Sequence, residues 1–108
     1  MERGNLFDGI PAELPAELET LLLEGSGFRL KRIISRGHHS DWYDQGEDEW
    51  VLLVKGAAEL EFDGRPQRLA LAAGDHLLIP AHCRHRVSWT DPEEDTLWLA
   101  LYGVADAT

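Results

Sequence analysis

The sequence contains one cysteine, one methionine and only ten lysine and arginine residues among its 108 positions. A single cysteine excludes a disulfide within the chain, and because this fits a reducing compartment we expect a cytoplasmic location. Twenty aspartate and glutamate residues give a formal net charge of −10 at pH 7. Nucleic acids and anionic membranes are bound by clusters of basic side chains, so the composition argues against both as partners.

The sequence also lacks an apolar stretch long enough to span a bilayer. Its first residues do not show the basic segment followed by an apolar run that is typical of a signal peptide. Hydrophobic residues nevertheless make up 44% of the chain and charged residues 28%, as in an ordinary folded protein. A chain of this length is near the commonest domain size, so we predict one domain with a buried core.

The first 27 residues are predicted to form an arm and a short helix. Met1–Pro15 contains two prolines and is of mixed polarity, which is typical of an arm laid over a surface. The helix is predicted over Ala16–Glu24, between Pro15 and Gly25, residues that commonly flank a helix. Its helically spaced apolar residues are Leu18, Leu21 and Leu22. Residues 28–104 are predicted to form the second region of the chain, the β domain.

Short apolar segments separated by turn residues follow from residue 28 onward. Glu49–Lys55 is a continuous apolar run, which predicts a strand buried on both faces. Asp63-Gly64 is a strong hairpin signal between two alternating segments. Further strands are predicted over residues 76–79, 84–89 and 96–102. Strands at intervals of roughly ten residues favour an all-β barrel or sandwich over an α/β fold.

Two segments show a more specific spacing. Glu49 is followed after six intervening residues by Gly56. Gly74 is followed after five intervening residues by Pro80, and His85 comes next in the pattern. This spacing resembles the two sequence motifs of the cupin superfamily, and the resemblance spans about half of the chain, residues 43–89. The sequence of these segments is similar to that of a group of small single-domain cupins.

The resemblance implies a fold and a site. The implied fold is all-β, a single jelly-roll-like cupin barrel, here with the short N-terminal helix. Cupins usually carry a histidine pair in the first motif, but this sequence has Tyr43 and Gln45 at those positions, so its first metal-binding motif is degenerate. His82 occupies the position of the usual glycine in the second motif.

The candidate site residues follow from this resemblance and from strand alternation. Alternation sends Tyr43 and Gln45 to the same face, where Glu49 can join them. Gln45, Glu49, His82 and His85 are the predicted metal ligands, for a divalent ion of iron, manganese, nickel or zinc. Glu49 and Tyr43 are the predicted catalytic residues, because either one can move a proton.

Other interpretations of the same residues stay open. His38 and His39 lie in a polar loop upstream of the first motif and could also reach the site. Glu49 could simply face solvent at the start of a strand. His85 could be a half-buried histidine that is hydrogen-bonded to the backbone.

Three classes of function are compatible with these observations. The first is a metal-dependent cupin enzyme of the oxygenase, isomerase or lyase type that acts on a small organic molecule. The second is a metal-free module that binds a small ligand. The third is a structural domain whose pocket is vestigial. A homodimer is expected in each case, because edge strands of small β domains commonly pair.

Overall fold

The computed structural model describes residues 1–103 and shows eight strands in two antiparallel sheets. The strands are β1 (Leu18–Gly25), β2 (Phe28–Ser35), β3 (Glu49–Lys55), β4 (Ala57–Phe62), β5 (Leu69–Ala72), β6 (His76–Ile79), β7 (His85–Thr90) and β8 (Thr96–Tyr102). The five-stranded sheet has the order β1-β2-β8-β3-β6, and the three-stranded sheet has the order β5-β4-β7. The prediction of an all-β fold is confirmed.

The predicted helix over Ala16–Glu24 is wrong. These residues contribute β1, which pairs with β2 so that Leu18 lies opposite Ile34 and Gly25 lies opposite Phe28. A short leucine-rich run fits a helix or a strand equally well, and here the backbone hydrogen bonds to β2 decide for the strand. The described part of the chain, residues 1–103, contains no helix, and thus none that could cross a membrane.

The two sheets pack face to face but are not closed into a barrel, so the prediction of a closed barrel is corrected. Each of β5 and β6 has only four residues, because a turn at Gly74 and Pro80 interrupt the chain on either side of β6. No backbone ladder between described residues joins the two sheets. The hairpin turn between β5 and β6 is held instead by Leu53, whose carbonyl accepts from Gly74 at 2.7 Å and whose N–H donates to Asp75 at 2.9 Å.

The core lies between the sheets, and its buried members come from the inward positions of four strands and the end of a fifth. Its buried members are Val51, Leu53, Ala58, Leu60, Leu71, Ile79, Trp98 and Ala100. Strand alternation places these side chains on facing surfaces, so the apolar area that stabilises the fold is removed from water between the two sheets.

The N-terminal arm is held on the other face of the five-stranded sheet by two arginines. Nη1 of Arg32, on β2, donates to the carbonyls of Leu6 and Asp8 at 3.1 and 2.5 Å. Nη1 of Arg36 donates to the carbonyl of Ala12 at 2.9 Å. The arm is therefore fixed mainly through its backbone. Residue 104, where the predicted β domain ends, lies outside the described residues.

We expect Gly56→Ala to destabilise the protein by about 2–4 kcal/mol, because backbone strain adds to a steric clash. Gly56 has φ +94°, and a Cβ atom there would lie 2.6 Å from Cα of Thr96. Gly64 has a similar φ of +82° but open space around its Cβ direction, so Gly64→Ala serves as the matched control with an expected loss of about 1 kcal/mol. Urea unfolding measures both, and equal losses would contradict the steric argument.

Candidate functional site

A pocket of about 330 Å³ opens between the two sheets. Its inner wall is apolar and its other lining groups are polar or charged. The apolar wall consists of Ile33, Val51, Leu60, Ile79, Val87 and Trp98. The polar lining includes Tyr43, Gln45, Glu49 and His85, four of the residues singled out from the sequence. This mixture is typical of a site for a small molecule.

Glu49 is the first residue of β3 and is only 7% exposed. Nε2 of Gln45 donates to its Oε1 at 2.8 Å. Burial raises the pKa of Glu49 above its ordinary value, while hydrogen bonds from Gln45 and Tyr102 and the charge of His85 act against this rise. Burial has the largest effect because water no longer solvates the carboxylate. Glu49 therefore holds a proton more readily than a surface glutamate does.

His85 is the first residue of β7 and is 4% exposed. Its Nδ1 lies 2.8 Å from the backbone carbonyl of Cys83. A carbonyl oxygen can only accept, so Nδ1 carries a hydrogen, and in the uncharged form of the ring Nε2 is then the nitrogen with the lone pair. Nε2 faces Oε1 of Glu49 at 3.8 Å. This separation is too long for a direct hydrogen bond, but each of the two buried groups can hold a proton at the pocket wall.

Backbone hydrogen bonds between two distant segments assemble this site. Tyr43 and His85 form an isolated antiparallel bridge, with N···O distances of 2.7 and 3.0 Å. The carbonyl of Gln45 accepts from the N–H of His82 at 2.8 Å. The segment before β3 is therefore tied to the segment before β7, which explains why the two motifs meet in space.

Tyr43 lies at the mouth of the pocket. Its ring centroid is 5.8 Å from that of His85, and 43% of the residue is exposed. Partial burial and then the negative charges of Glu17 and Glu19 raise the pKa of Tyr43. Its hydroxyl therefore stays protonated and can donate a hydrogen bond to a ligand.

His82 does not join the other predicted ligands. Its backbone has φ +61° in the turn after Pro80, and its side chain is 74% exposed. Nδ1 of His82 lies 3.0 Å from Oδ1 of Asp44, outside the pocket lining. His38 and His39 do not line the pocket either, and Nδ1 of His38 accepts from the backbone N–H of Arg36.

Tyr102 and Glu17 line the pocket but were not predicted as site residues. Tyr102 ends β8 on the same face as Trp98, and this alternation was a usable sequence signal. Burial is the main cause that raises the pKa of Tyr102, and the charge of Glu49 adds to it. Glu17 was missed because the segment was assigned to a helix. Its Oε2 accepts from Oγ of Ser35 at 3.0 Å, and burial raises its pKa.

The donor set does not fit a tightly held divalent ion. Nε2 of His85 and Oε1 of Glu49 are close enough to share a small ion, but Gln45 turns its amide N–H₂ group toward Glu49 rather than offering a free oxygen. Within residues 1–103, no group of three His, Cys, Asp or Glu side chains is arranged to hold a metal. Catalytic zinc sites, by comparison, use three protein ligands.

Comparison with known proteins places this geometry in a family. The family model described as a cupin domain matches residues 34–102. The structure of a candidate mannose-6-phosphate isomerase from Ralstonia eutropha JMP134 is similar to this chain, with a TM-score of 0.92 and 45% sequence identity. That match covers 97% of this chain and 100% of the Ralstonia chain. A search of the curated proteins gave no match.

More distant structures share the fold. A cupin superfamily protein from Desulfitobacterium hafniense DCB-2 has a TM-score of 0.77 at 20% identity, over 97% of this chain and 94% of that one. KdgF from a Halomonas species has a TM-score of 0.71 at 20% identity, over 90% of this chain and 87% of that one. The family match covers more than half of the sequence and the Ralstonia match almost all of it. The chain therefore belongs to the cupin domain family.

Proposed function

We propose that this cupin binds a small polar organic molecule in the pocket between its sheets, and that Glu49 and His85 transfer a proton to and from it. The proposal assigns no step to a metal ion. The observation that carries it is the pair itself: two buried side chains whose Oε1 and Nε2 atoms face each other at 3.8 Å. Buried ionisable pairs in a cleft are typical of functional sites.

The residues around the pair have distinct parts in this proposal. Glu49, whose pKa burial raises, is the group that holds and donates a proton. His85 offers the lone pair of Nε2 as the base, and the Cys83 carbonyl keeps its ring in that tautomer. Gln45 orients Glu49 through its 2.8 Å hydrogen bond. Tyr43, at the mouth, donates a hydrogen bond to an oxygen of the ligand.

The proposed reaction class is an isomerisation or a related proton transfer. The name of the Ralstonia relative indicates an aldose–ketose isomerase, and such a reaction moves a proton between two neighbouring carbon or oxygen atoms. In the first half of such a reaction the base removes a proton from carbon while the acid protonates the carbonyl oxygen. In the second half the two groups exchange roles, so both return to their starting states and no oxidant is needed. The Glu49–His85 pair supplies these two groups on one wall of the pocket.

A metal-binding function is the second candidate. One observation favours it: His85 anchors Nδ1 on a carbonyl and leaves Nε2 open, as metal-binding histidines do. Gln45 and Glu49 would be the remaining ligands of an iron, manganese, nickel or zinc ion. Such an ion would be held weakly, because only two of these three residues are strong donors.

We expect Glu49→Gln to slow proton transfer by about 10²–10⁴-fold while ligand affinity changes much less. The measurement has two steps: a thermal-shift screen of small sugars and polyols to find a ligand, and proton NMR in D₂O to follow exchange of its C–H hydrogens. His82→Ala is the matched control and should leave the exchange rate unchanged, because His82 lies outside the pocket.

Elemental analysis of the same preparations separates the two candidates. Purified wild-type protein should contain far less than one metal ion per chain, and a chelator should leave the exchange rate unchanged. Near-stoichiometric metal that disappears in a Glu49→Gln, His85→Ala double variant would overturn the metal-free proposal. It would favour the second candidate and identify the ion.

We expect Glu49→Gln to raise the free energy of unfolding at pH 8 but not at pH 4. Burial raises the pKa of Glu49 in the folded state above the ordinary value of a glutamate. The wild type therefore loses stability as the pH rises from the unfolded pKa to the folded one, and Gln does not. Urea unfolding measures the effect. Glu94→Gln, at an exposed loop position, corrects for the change in net charge, and an equal gain in both variants would contradict burial as the cause.

The homodimer also remains a proposal, and we assign it to β1. This strand is an edge of the five-stranded sheet, and Leu21, Leu22 and Leu23 on it are 49%, 44% and 55% exposed. Unpaired backbone groups beside three exposed leucines suit antiparallel pairing with β1 of a second copy.

A cytoplasmic location, favoured by the single Cys83, likewise remains a prediction.

We expect Leu22→Lys to convert a dimer into a monomer, because a charge on an edge strand opposes pairing. Light scattering coupled to size-exclusion chromatography gives the mass of the particle. Leu69→Lys is the matched control, since Leu69 is 40% exposed but lies on β5, an edge of the other sheet. A monomeric wild type, or dissociation by Leu69→Lys alone, would contradict the assignment to β1.

A further inference from the structure

The pocket has an acidic lining. Its acidic residues are Glu17, Glu19, Glu47 and Glu49, and its basic residues are Arg29 and Lys31. With Glu49 as the proton-holding acid of the proposed function, the three other glutamates leave a formal excess of one negative charge in a chain whose net charge is −10. The field inside a cleft lined by one sign of charge selects ligands of the opposite sign or of none.

Both basic side chains of the lining already have partners. Arg29 forms a forked ion pair with Glu47 at 2.6 and 3.2 Å, and Nζ of Lys31 lies 3.1 Å from Oε1 of Glu19. Both cations also lie over the ring of Tyr102, at 4.9 and 5.5 Å from its centroid. These exposed pairs add little stability. They do, however, neutralise the two charges that would otherwise attract an anion.

The inner glutamates lack such partners. Among the described residues, neither Glu17 nor Glu49 forms an ion pair with a lysine or arginine. Glu17 accepts from the Ser35 hydroxyl, and Glu49 accepts from Gln45 and faces His85. Negative charge that develops in the interior of the pocket is therefore not balanced by a nearby cation.

Two usual means of holding a phosphate are not found among the described residues of the pocket. Proteins bind phosphate with helix N-termini, with unpaired arginine forks or with clusters of backbone N–H groups. Residues 1–103 contain no helix, and the fork of Arg29 is engaged by Glu47. His85 is buried and lines the pocket, but the Cys83 carbonyl engages its Nδ1–H, so this hydrogen is not offered to an anion.

We propose that this pocket admits uncharged or positively charged organic ligands and excludes phosphorylated and other anionic ones. This inference rests on the proposed function, since it names the ligand class of the same site. A free sugar, a polyol or an amine fits it, and a sugar phosphate does not. The ion pairs of Arg29 with Glu47 and of Lys31 with Glu19 are the specificity-determining contacts at the mouth.

Charged thiol reagents can test this without a known ligand. In a Cys83→Ser background, Val87→Cys places the only thiol in the pocket lining on β7. Its thiolate attacks a methanethiosulfonate to form a mixed disulfide and releases methanesulfinate. We compare the rates of the cationic trimethylammonioethyl reagent and the anionic sulfonatoethyl reagent, each relative to its rate with 2-mercaptoethanol. The cation-to-anion ratio should exceed the reference by at least about tenfold at low salt.

A variant without the two paired glutamates tests whether the ion pairs cause the charge selectivity. Glu19→Gln with Glu47→Gln frees Lys31 and Arg29, so the cation-to-anion ratio should fall by about tenfold or more. Glu93→Gln with Glu94→Gln makes the same change in net charge at exposed positions outside the pocket lining and should leave the ratio unchanged. Ile33→Cys, on β2, gives a second thiol in the lining if the Val87→Cys variant does not fold.

The outcomes separate the two proposals. A ratio equal to the 2-mercaptoethanol reference, with rapid reaction of both reagents, would overturn the charge selectivity and leave the proposed pocket intact. A thiol that fails to react even with the uncharged methyl reagent would show that the pocket is closed to small molecules, and both proposals would then fail. A ratio that changes equally in the two double variants would also overturn the inference, because overall charge would then be the cause.

Discussion

Two backbone hydrogen bonds between Tyr43 and His85 connect the loop before β3 to the first residue of β7. They join a segment that leads into the five-stranded sheet to a strand of the three-stranded sheet, at the end where the pocket opens. This bridge brings the segment that carries Tyr43 and Gln45 beside His85, and it places the Tyr43 ring 5.8 Å from the His85 ring.

The site has a physical cost that the core around it must offset. Glu17 and Glu49 are carboxyls whose pKa burial raises, and removing a charged group from water opposes folding. A cupin that needed only a stable sandwich would gain from apolar side chains at these positions. A buried Glu49 beside a buried His85, with a half-buried Glu17 in the same pocket, is in line with the stability that active sites commonly give up.

The fold is shared with structures at 20% sequence identity. Tyr43 and Gln45 stand where the cupin motif usually has histidines. The same scaffold that elsewhere positions metal ligands here positions a phenol and an amide around one carboxyl group. Function on a common fold is decided by such side chains, so the family alone does not specify the reaction.

The sequence determined most of the strands and one part of the site. The bounds of β3, β6 and β8 were predicted from alternation and turn residues, since these are local properties. Motif spacing likewise identified Tyr43, Gln45, Glu49 and His85 as neighbours. It did not separate His82 from His85, because only the turn geometry after Pro80 sends one histidine outward and the other inward.

The tertiary structure decided what local patterns leave open. The leucine-rich run that fits a helix became β1, because β2 lies beside it and completes its hydrogen bonds. That pairing in turn brings Glu17 to the pocket, where Tyr102 from the other end of the chain also lies. The charge balance of the pocket therefore depends on residues from both ends of the sequence. Their proximity comes from the order of strands in the sheet, which periodicity along a single segment does not contain.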